Sequence, residues 1–223
     1  MKRIFILAVI MAMVLGFSMQ AHATLFNQGT DSLGNRLIYD SDLNITWYDY
    51  TNWYNPWQNQ VDWASGLTVN FGGNIYDDWR LPSTVDGPDT YGYDGTTTGG
   101  YNITSSEMGH LFYTELGNKG YSDTSGNWPQ SGWGLTNTGD FQNMQPDFYW
   151  SGTEYATNPD LAWLFSTNYG LQFSYGKGYD SYAIAVRPGD VSAPVPEPGT
   201  LLLLCSGLAG LATWRKRKGW MHR

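Results

Sequence analysis

The chain has 223 residues, of which 12 are Lys or Arg and 20 are Asp or Glu, giving a formal net charge of −8. Seven of those cations but only one of the acids lie in the two ends. The stretch between them therefore sets five cations against nineteen carboxylates, a balance that excludes a phosphate-reading, nucleic-acid-binding domain. The single cysteine, Cys205, is also in the C-terminal end. The middle of the chain can form no disulfide and must rest on its core, for which nine tryptophans between Trp47 and Trp163 supply the area.

In chain order, Lys2 and Arg3, the apolar run Ile4 to Phe17 and Ala21-His22-Ala23 read as a secretory signal peptide over residues 1–23, cleaved after Ala23. Leu37–Asp40 and Ile45–Tyr48 follow as two short strands joined by a turn over Ser41–Asn44. Asn55 is expected to N-cap a helix with Pro56 in its first position, Trp57, Val61 and Ala64 on one apolar face, and Gly66 as its stop. Thr104-Ser105-Ser106-Glu107 has the form of a capping box before a second helix. Its buried stripe is Met108, Leu111, Phe112 and Leu116, ended by Gly117 or Gly120. Four strands close the domain: Phe148–Thr153, Ala162–Thr167, Leu171–Tyr175 and Ser181–Arg187. In the last, Tyr182, Ile184 and Val186 alternate with Ala183, Ala185 and Arg187, as in a sheet with one buried face. Strands, two helices and a further sheet predict one α+β domain over residues 24–194, with short antiparallel strands and two long loops, Pro82–Gly100 and Lys119–Pro146.

Few residues suit catalysis. His110 is the only histidine between the ends, and beside Gly109, off the buried stripe, it reads as a solvated surface group. One histidine without cysteine makes a poor zinc site, and no spacing singles out a pair of carboxylates for glycoside hydrolysis, so the domain reads as non-enzymatic. Calcium is the candidate cofactor, with Asp86, Asp89 and Asp94 in one Gly- and Pro-rich loop as its ligands. The competing reading is a hydrophilic turn in which each aspartate bonds its own backbone. Glycan binding is carried by the aromatics, since the apolar faces of sugar rings pack on Trp and Tyr. Trp128 and Trp133, in a Gly/Ser/Asn-rich loop, are the first candidates and Trp53 the third, set against a core or loop-anchoring role for each. Trp57 is assigned to the core by its helical spacing. Asp78-Trp79-Arg80-Leu81-Pro82 reads as architecture, with Trp79 packed and Arg80 paired with Asp77 or Asp78 or bracing a loop.

The C-terminal end, residues 195–223, has three parts. Pro196-Glu197-Pro198 precedes an apolar run from Thr200, and Arg215-Lys216-Arg217-Lys218 follows Trp214. As a helix, Thr200–Trp214 spans about 22 Å, short of the roughly 30 Å hydrocarbon core, a deficit that Trp214 and the cations cover by reaching outward. The cations hold their end cytoplasmic and leave the domain outside. These parts resemble the PEP-CTERM sorting signal. The resemblance implies an exosortase as processing partner, membrane attachment through the helix before processing, and display at the surface or in the extracellular matrix of a Gram-negative bacterium. A permanent membrane anchor is the alternative.

Between the ends, Asp78-Trp79-Arg80-Leu81-Pro82, Ser106-Glu107-Met108, Tyr149-Trp150-Ser151-Gly152-Thr153-Glu154, Ala162-Trp163-Leu164-Phe165 and Ala185-Val186-Arg187-Pro188-Gly189 occur in an order that resembles the DUF1566, or Lcl C-terminal, domain. It covers about Leu37 to Asp190 and implies a C-type-lectin-like single domain. The thiol chemistry of formylglycine-generating relatives is excluded, because no cysteine lies in this stretch. The function expected is a non-enzymatic surface or matrix protein that binds extracellular polysaccharide. A polysaccharide-acting enzyme and a structural matrix protein are the alternatives.

Overall fold

Runs of aromatic and β-branched residues favour extended backbone. In the computed structural model, strands take 38% of the described residues and helices 11%. Those residues are 25–191. The signal peptide with Ala21 and Ala23, and the tail from Pro196 to Lys218, lie outside them. The chain divides into two compact units, Met1–Asp190 and Val191–Arg223, and the elements below belong to the first. Among the described residues no helix is long and apolar enough to cross a membrane.

The strands are β1 (Leu25–Thr30), β2 (Arg36–Asp40), β3 (Ile45–Asn55), β4 (Val69–Phe71), β5 (Asn74–Tyr76), β6 (Tyr91–Gly92), β7 (Gly99–Tyr101), β8 (Phe148–Glu154), β9 (Leu161–Ser166), β10 (Leu171–Gly176) and β11 (Ser181–Pro188). Nine of them form one mixed sheet in the order β1-β2-β3-β11-β8-β9-β10-β7-β6, and β4 pairs with β5 as a separate ribbon. The last strand thus lies in the middle, antiparallel to β3 and parallel to β8. Helix α1 is Trp57–Ser65, and α2 is only Glu107–Gly109, continued by a π-helical turn over His110–Glu115.

Both faces of the sheet are covered. Ile38, Trp47, Tyr149, Phe165, Ile184 and Val186 pack with Met108, Leu111, Phe112 and Leu116 of the second helix and with Phe141 and Met144. The stripe read from the sequence is therefore the core of that face. Ala183 and Ala185 are buried too, so β11 is not exposed on its second face. Their small side chains admit α1, which lies against β11, β3 and β8.

The α+β, C-type-lectin-like expectation is overturned by this sheet. Two physical causes account for the excess of strand. Asn55, expected to N-cap the helix, instead ends β3, which runs on through Tyr50–Tyr54 to the helix itself, and Pro56 stands at the N-cap without a side-chain bond. The second helix starts at Glu107 with Ser106, not Thr104, as its N-cap, and the expected capping box does not form. Ser106 Oγ accepts from Gly109 N at 3.0 Å, but Glu107 is held instead by Arg80, at 2.7 and 2.6 Å, and by the Ser83 amide. Arg80 therefore pairs with neither Asp77 nor Asp78, and Asp78 is taken by Arg187. The first long loop also contributes strands, since β6 and β7 extend the sheet edge. Gly100, at φ 107°, allows their backbones to approach where a Cβ would meet Gly92.

Candidate functional site

The site with the most built-in geometry lies where β3 is bulged against β11. Ser181 pairs with Asn55, Ala183 with Asn52 and Ala185 with Tyr48, so β3 carries extra residues in both intervals. Bulges break the in-and-out alternation and re-aim side chains, often beside binding sites. Here the burial pattern of β3 changes from a fully buried Ile45–Asp49 to a mixed Tyr50–Asn55. Tyr50, Thr51 and Trp53 then line a shallow cleft of about 240 Å³ together with Asn143, Gln145 and Tyr182.

Trp53 is 68% exposed and stands edge-on to Tyr54 at 5.6 Å and to Tyr182 at 5.4 Å. Those two tyrosines stack at 4.2 Å. Behind Trp53, the fully buried Gln60 of α1 donates to Trp53 O at 2.7 Å and Ser181 O at 2.8 Å, and accepts from Asn52 Nδ2 at 2.6 Å. The opposite wall hangs on Asp49, whose buried carboxylate accepts from the amides of Gln142 and Asn143 at 2.8 and 3.0 Å. Burial raises the Asp49 carboxyl above its ordinary value, and the two amides oppose that shift. Thr51 Oγ1 donates to Asn143 O at 2.7 Å, and the Tyr149 hydroxyl accepts from Gln145 N at 2.7 Å; burial pushes that phenol to about 12. The Tyr54 hydroxyl donates to Asp147, a bond that, ahead of burial, raises the Tyr54 phenol. The cleft therefore presents aromatic faces, amides and hydroxyls on a fixed frame.

Of the three tryptophans proposed from the sequence, only Trp53 is at this cleft. Trp128 and Trp133 share a second aromatic cluster in the long loop. Trp128, 67% exposed, stacks on Tyr121 at 5.9 Å, while Trp133 stacks on Tyr169 at 5.4 Å and meets Tyr121 edge-on at 4.9 Å. Asp86, Asp89 and Asp94 do not converge. Asp86 accepts from Trp163 Nε1 at 2.8 Å and Ala156 N at 3.2 Å, Asp89 from the Ser174 hydroxyl at 2.5 Å, and Asp94 from Thr96 Oγ1 at 2.7 Å. His110 is not the solvated group expected. Its side chain is 15% exposed, with Nε2 at 3.2 Å from Glu115 Oε1, and with Asp40 these residues form a group able to hold a metal ion.

Sequence reasoning missed Tyr50, Asn143, Gln145 and Tyr182. Tyr182 alternates like a core residue, and at 7% exposure it is one, although it also lines the cleft. Asn143 and Gln145 lie some ninety residues from Trp53 in a polar loop, so no local pattern marks them. Four of the five cations of the middle region are paired, in Arg36–Asp140, Arg80–Glu107, Lys177–Glu154 and Arg187–Asp78, and the surface is left acidic.

Comparison with known families matches residues 194–218 to the PEP-CTERM protein-sorting motif. The motif marks the chain as an exosortase substrate that is exported across the inner membrane and anchored at the cell surface. A DUF1566 or Lcl domain is not shown by that comparison. No curated protein and no solved structure matches the chain.

Proposed function

We propose that this chain is a non-enzymatic, glycan-binding protein of a Gram-negative cell surface or extracellular matrix, and that it holds polysaccharide at the Trp53 cleft. The observation that carries this reading is a tryptophan 68% exposed over a cleft lined by Tyr50, Tyr182, Asn143 and Gln145. A contiguous exposed aromatic patch beside a cleft is the kind of surface that meets a ligand, and a few convergent amides and hydroxyls are what orients a polyhydroxylated one. Asp49 and Asp147, the carboxylates beside the cleft, are each engaged by protein donors, which favours holding a sugar over cutting it. Delivery by the sorting motif brings such a domain to extracellular polysaccharide. The kinship of residues 37–190 to DUF1566 rests on the five segments quoted above and belongs to the same proposal.

The test is retention of the purified protein on the producer's own exopolysaccharide, in calcium and in chelator, beside Trp53→Ala. Saturable retention lost in the variant is the expected result. Equal retention of a folded Trp53→Ala variant would remove the cleft from the reading, and loss of the parent's retention on chelation would show that binding needs a metal ion.

A further inference from the structure

We propose that Asp40, His110 and Glu115 form a binding site for a divalent transition-metal ion, zinc or manganese, which fastens the β2–β3 hairpin to the π-helical turn. This inference is independent of the glycan reading. One donor atom from each of the three residues lies within 4.8 Å of the others. His110 Nε2 is 3.2 Å from Glu115 Oε1 and 4.0 Å from Asp42 Oδ2. Bonds of about 2.0–2.2 Å from zinc to imidazole and carboxylate place neighbouring donors about 3.0–3.4 Å apart, so the His110–Glu115 edge already has the required length.

The helix is wound so that these two residues meet. In an α-helix, residues i and i+5 point about 140° apart. An i→i+5 turn closes near that spacing instead, and such turns occur often at functional sites. Leu116 N bonds Leu111 O at 2.9 Å in this pattern, and His110 and Glu115 stand five residues apart on it. The third donor is fixed from the hairpin. Asp40 is fully buried, and its Oδ1 accepts from the amides of Asp42 and Leu43 at 3.1 and 3.0 Å, while Oδ2 has Trp47 Nε1 at 3.5 Å. Outer-shell bonds of this kind orient metal-binding carboxylates.

Charge points the same way. One imidazolium balances at most one carboxylate, whereas Asp40, Asp42 and Glu115 all face this point, and the Glu115 side chain is only 2% exposed. A dication at the centre would balance that excess of buried negative charge. A nitrogen donor among the oxygens favours zinc or manganese over calcium, which takes oxygen ligands alone.

The experiment uses the purified full-length protein, stripped with chelator and then given Zn²⁺, Mn²⁺ or Ca²⁺ singly. Titration calorimetry and thermal melting are read for the parent, Glu115→Gln and Asp40→Asn, and visible absorption with Co²⁺ for the parent. Expected are one equivalent of Zn²⁺ or Mn²⁺, a rise in Tm of about 5–10 °C at a hundredfold excess over Kd, at least hundredfold weaker binding by Glu115→Gln, and cobalt bands of nitrogen–oxygen coordination. The parent measurements stand even where a variant fails to fold. Zn²⁺ and Mn²⁺ both leaving the parent's Tm unmoved at millimolar concentration would overturn the proposal. So would affinity unchanged by both substitutions, which would assign the metal to His22 or His222, or tighter binding of Ca²⁺ than of either transition ion.

Discussion

Trp53 and Trp128 are almost equally exposed, at 68% and 67%, yet they stand on different supports. Trp53 belongs to a bulged strand inside a nine-stranded sheet, with a buried glutamine bonded to its own carbonyl. Trp128 stacks on Tyr121 in a loop tied by its own bonds: Asn127 N and Nδ2 donate to Asp123 at 2.8 and 2.9 Å, Gln130 N to Tyr121 O at 3.0 Å, and the Gln130 side chain to Gly120 O and Ser122 O at 2.8 Å. Exposure alone therefore does not distinguish a binding tryptophan from a loop-covering one; what stands behind the ring does. A preorganised ring loses little freedom when a ligand arrives, and a strand inside a sheet fixes its ring more closely than a surface loop does.

Removing the support should have the largest effect. Gln60→Leu leaves the carbonyls of Trp53 and Ser181 without their donor, and a buried unsatisfied group costs about 1–3 kcal/mol. We expect a loss of about 2–4 kcal/mol, or roughly 5–12 °C in Tm, with glycan retention falling beside it. A shift below about 2 °C would mean that the support is not what sets Trp53 apart. Next comes the ring itself. Trp53→Ala should weaken glycan binding by about 30-fold, the effect of a hot-spot residue, and cost about 1–2 kcal/mol of stability through its lost contacts with Tyr54 and Tyr182. Trp128→Ala should change binding less than about twofold, and the reverse ranking in a binding titration would move the site to the loop.

A smaller contrast separates the two loop tryptophans. Trp133 stacks on Tyr169 and meets Tyr121, and aromatic pairs contribute about 0.5–1.5 kcal/mol each beyond area. Trp133→Ala, which loses two ring pairs, should thus cost about 1–3 kcal/mol in denaturant melts, and Trp128→Ala, which loses one, about 0.5–1.5 kcal/mol. Equal costs would show that the cluster is not anchored through Trp133.

How far the sequence shows this contrast depends on the range of the interactions. Local pattern is enough for the four C-terminal strands, for the Met108–Leu116 stripe, and for the positive-φ Gly117 that follows it. It does not reach the capping box, because Arg80, twenty-seven residues away, takes Glu107. Nor does it reveal β3 beyond Tyr48. Tyr50-Thr51-Asn52-Trp53-Tyr54 is followed by Asn-Pro, a helix-start signal strong enough to hide that a strand runs up to it. Trp53 was legible as an exposed aromatic, but its cleft was not, since Asn143, Gln145 and Gln60 join it only through the tertiary fold. His110 departs from expectation for a related reason. α-Helical spacing points it to solvent, whereas the π turn brings it to Glu115.

The gentlest probe is pH, and it reads the wall of the cleft opposite Trp53. Asp49 is buried beneath the cleft wall, and its carboxyl is raised from the ordinary 3.8, by burial first, against the Gln142 and Asn143 amides. A group whose folded pKa is raised binds its proton more tightly in the folded chain. Its contribution to stability is then fully present below the unfolded value and is lost as pH rises through the folded one. Asp49→Asn has no such titration, and the other carboxylates, Glu115 and Asp78 among them, titrate alike in both proteins. The Tm of the parent minus that of the variant should therefore grow as pH falls from 7 toward 4, by a few degrees at most. A difference that shrinks on acidification would mean that the two amides outweigh burial. The wall of the cleft would then be held by the charge on Asp49 and strengthened, not strained, at neutral pH.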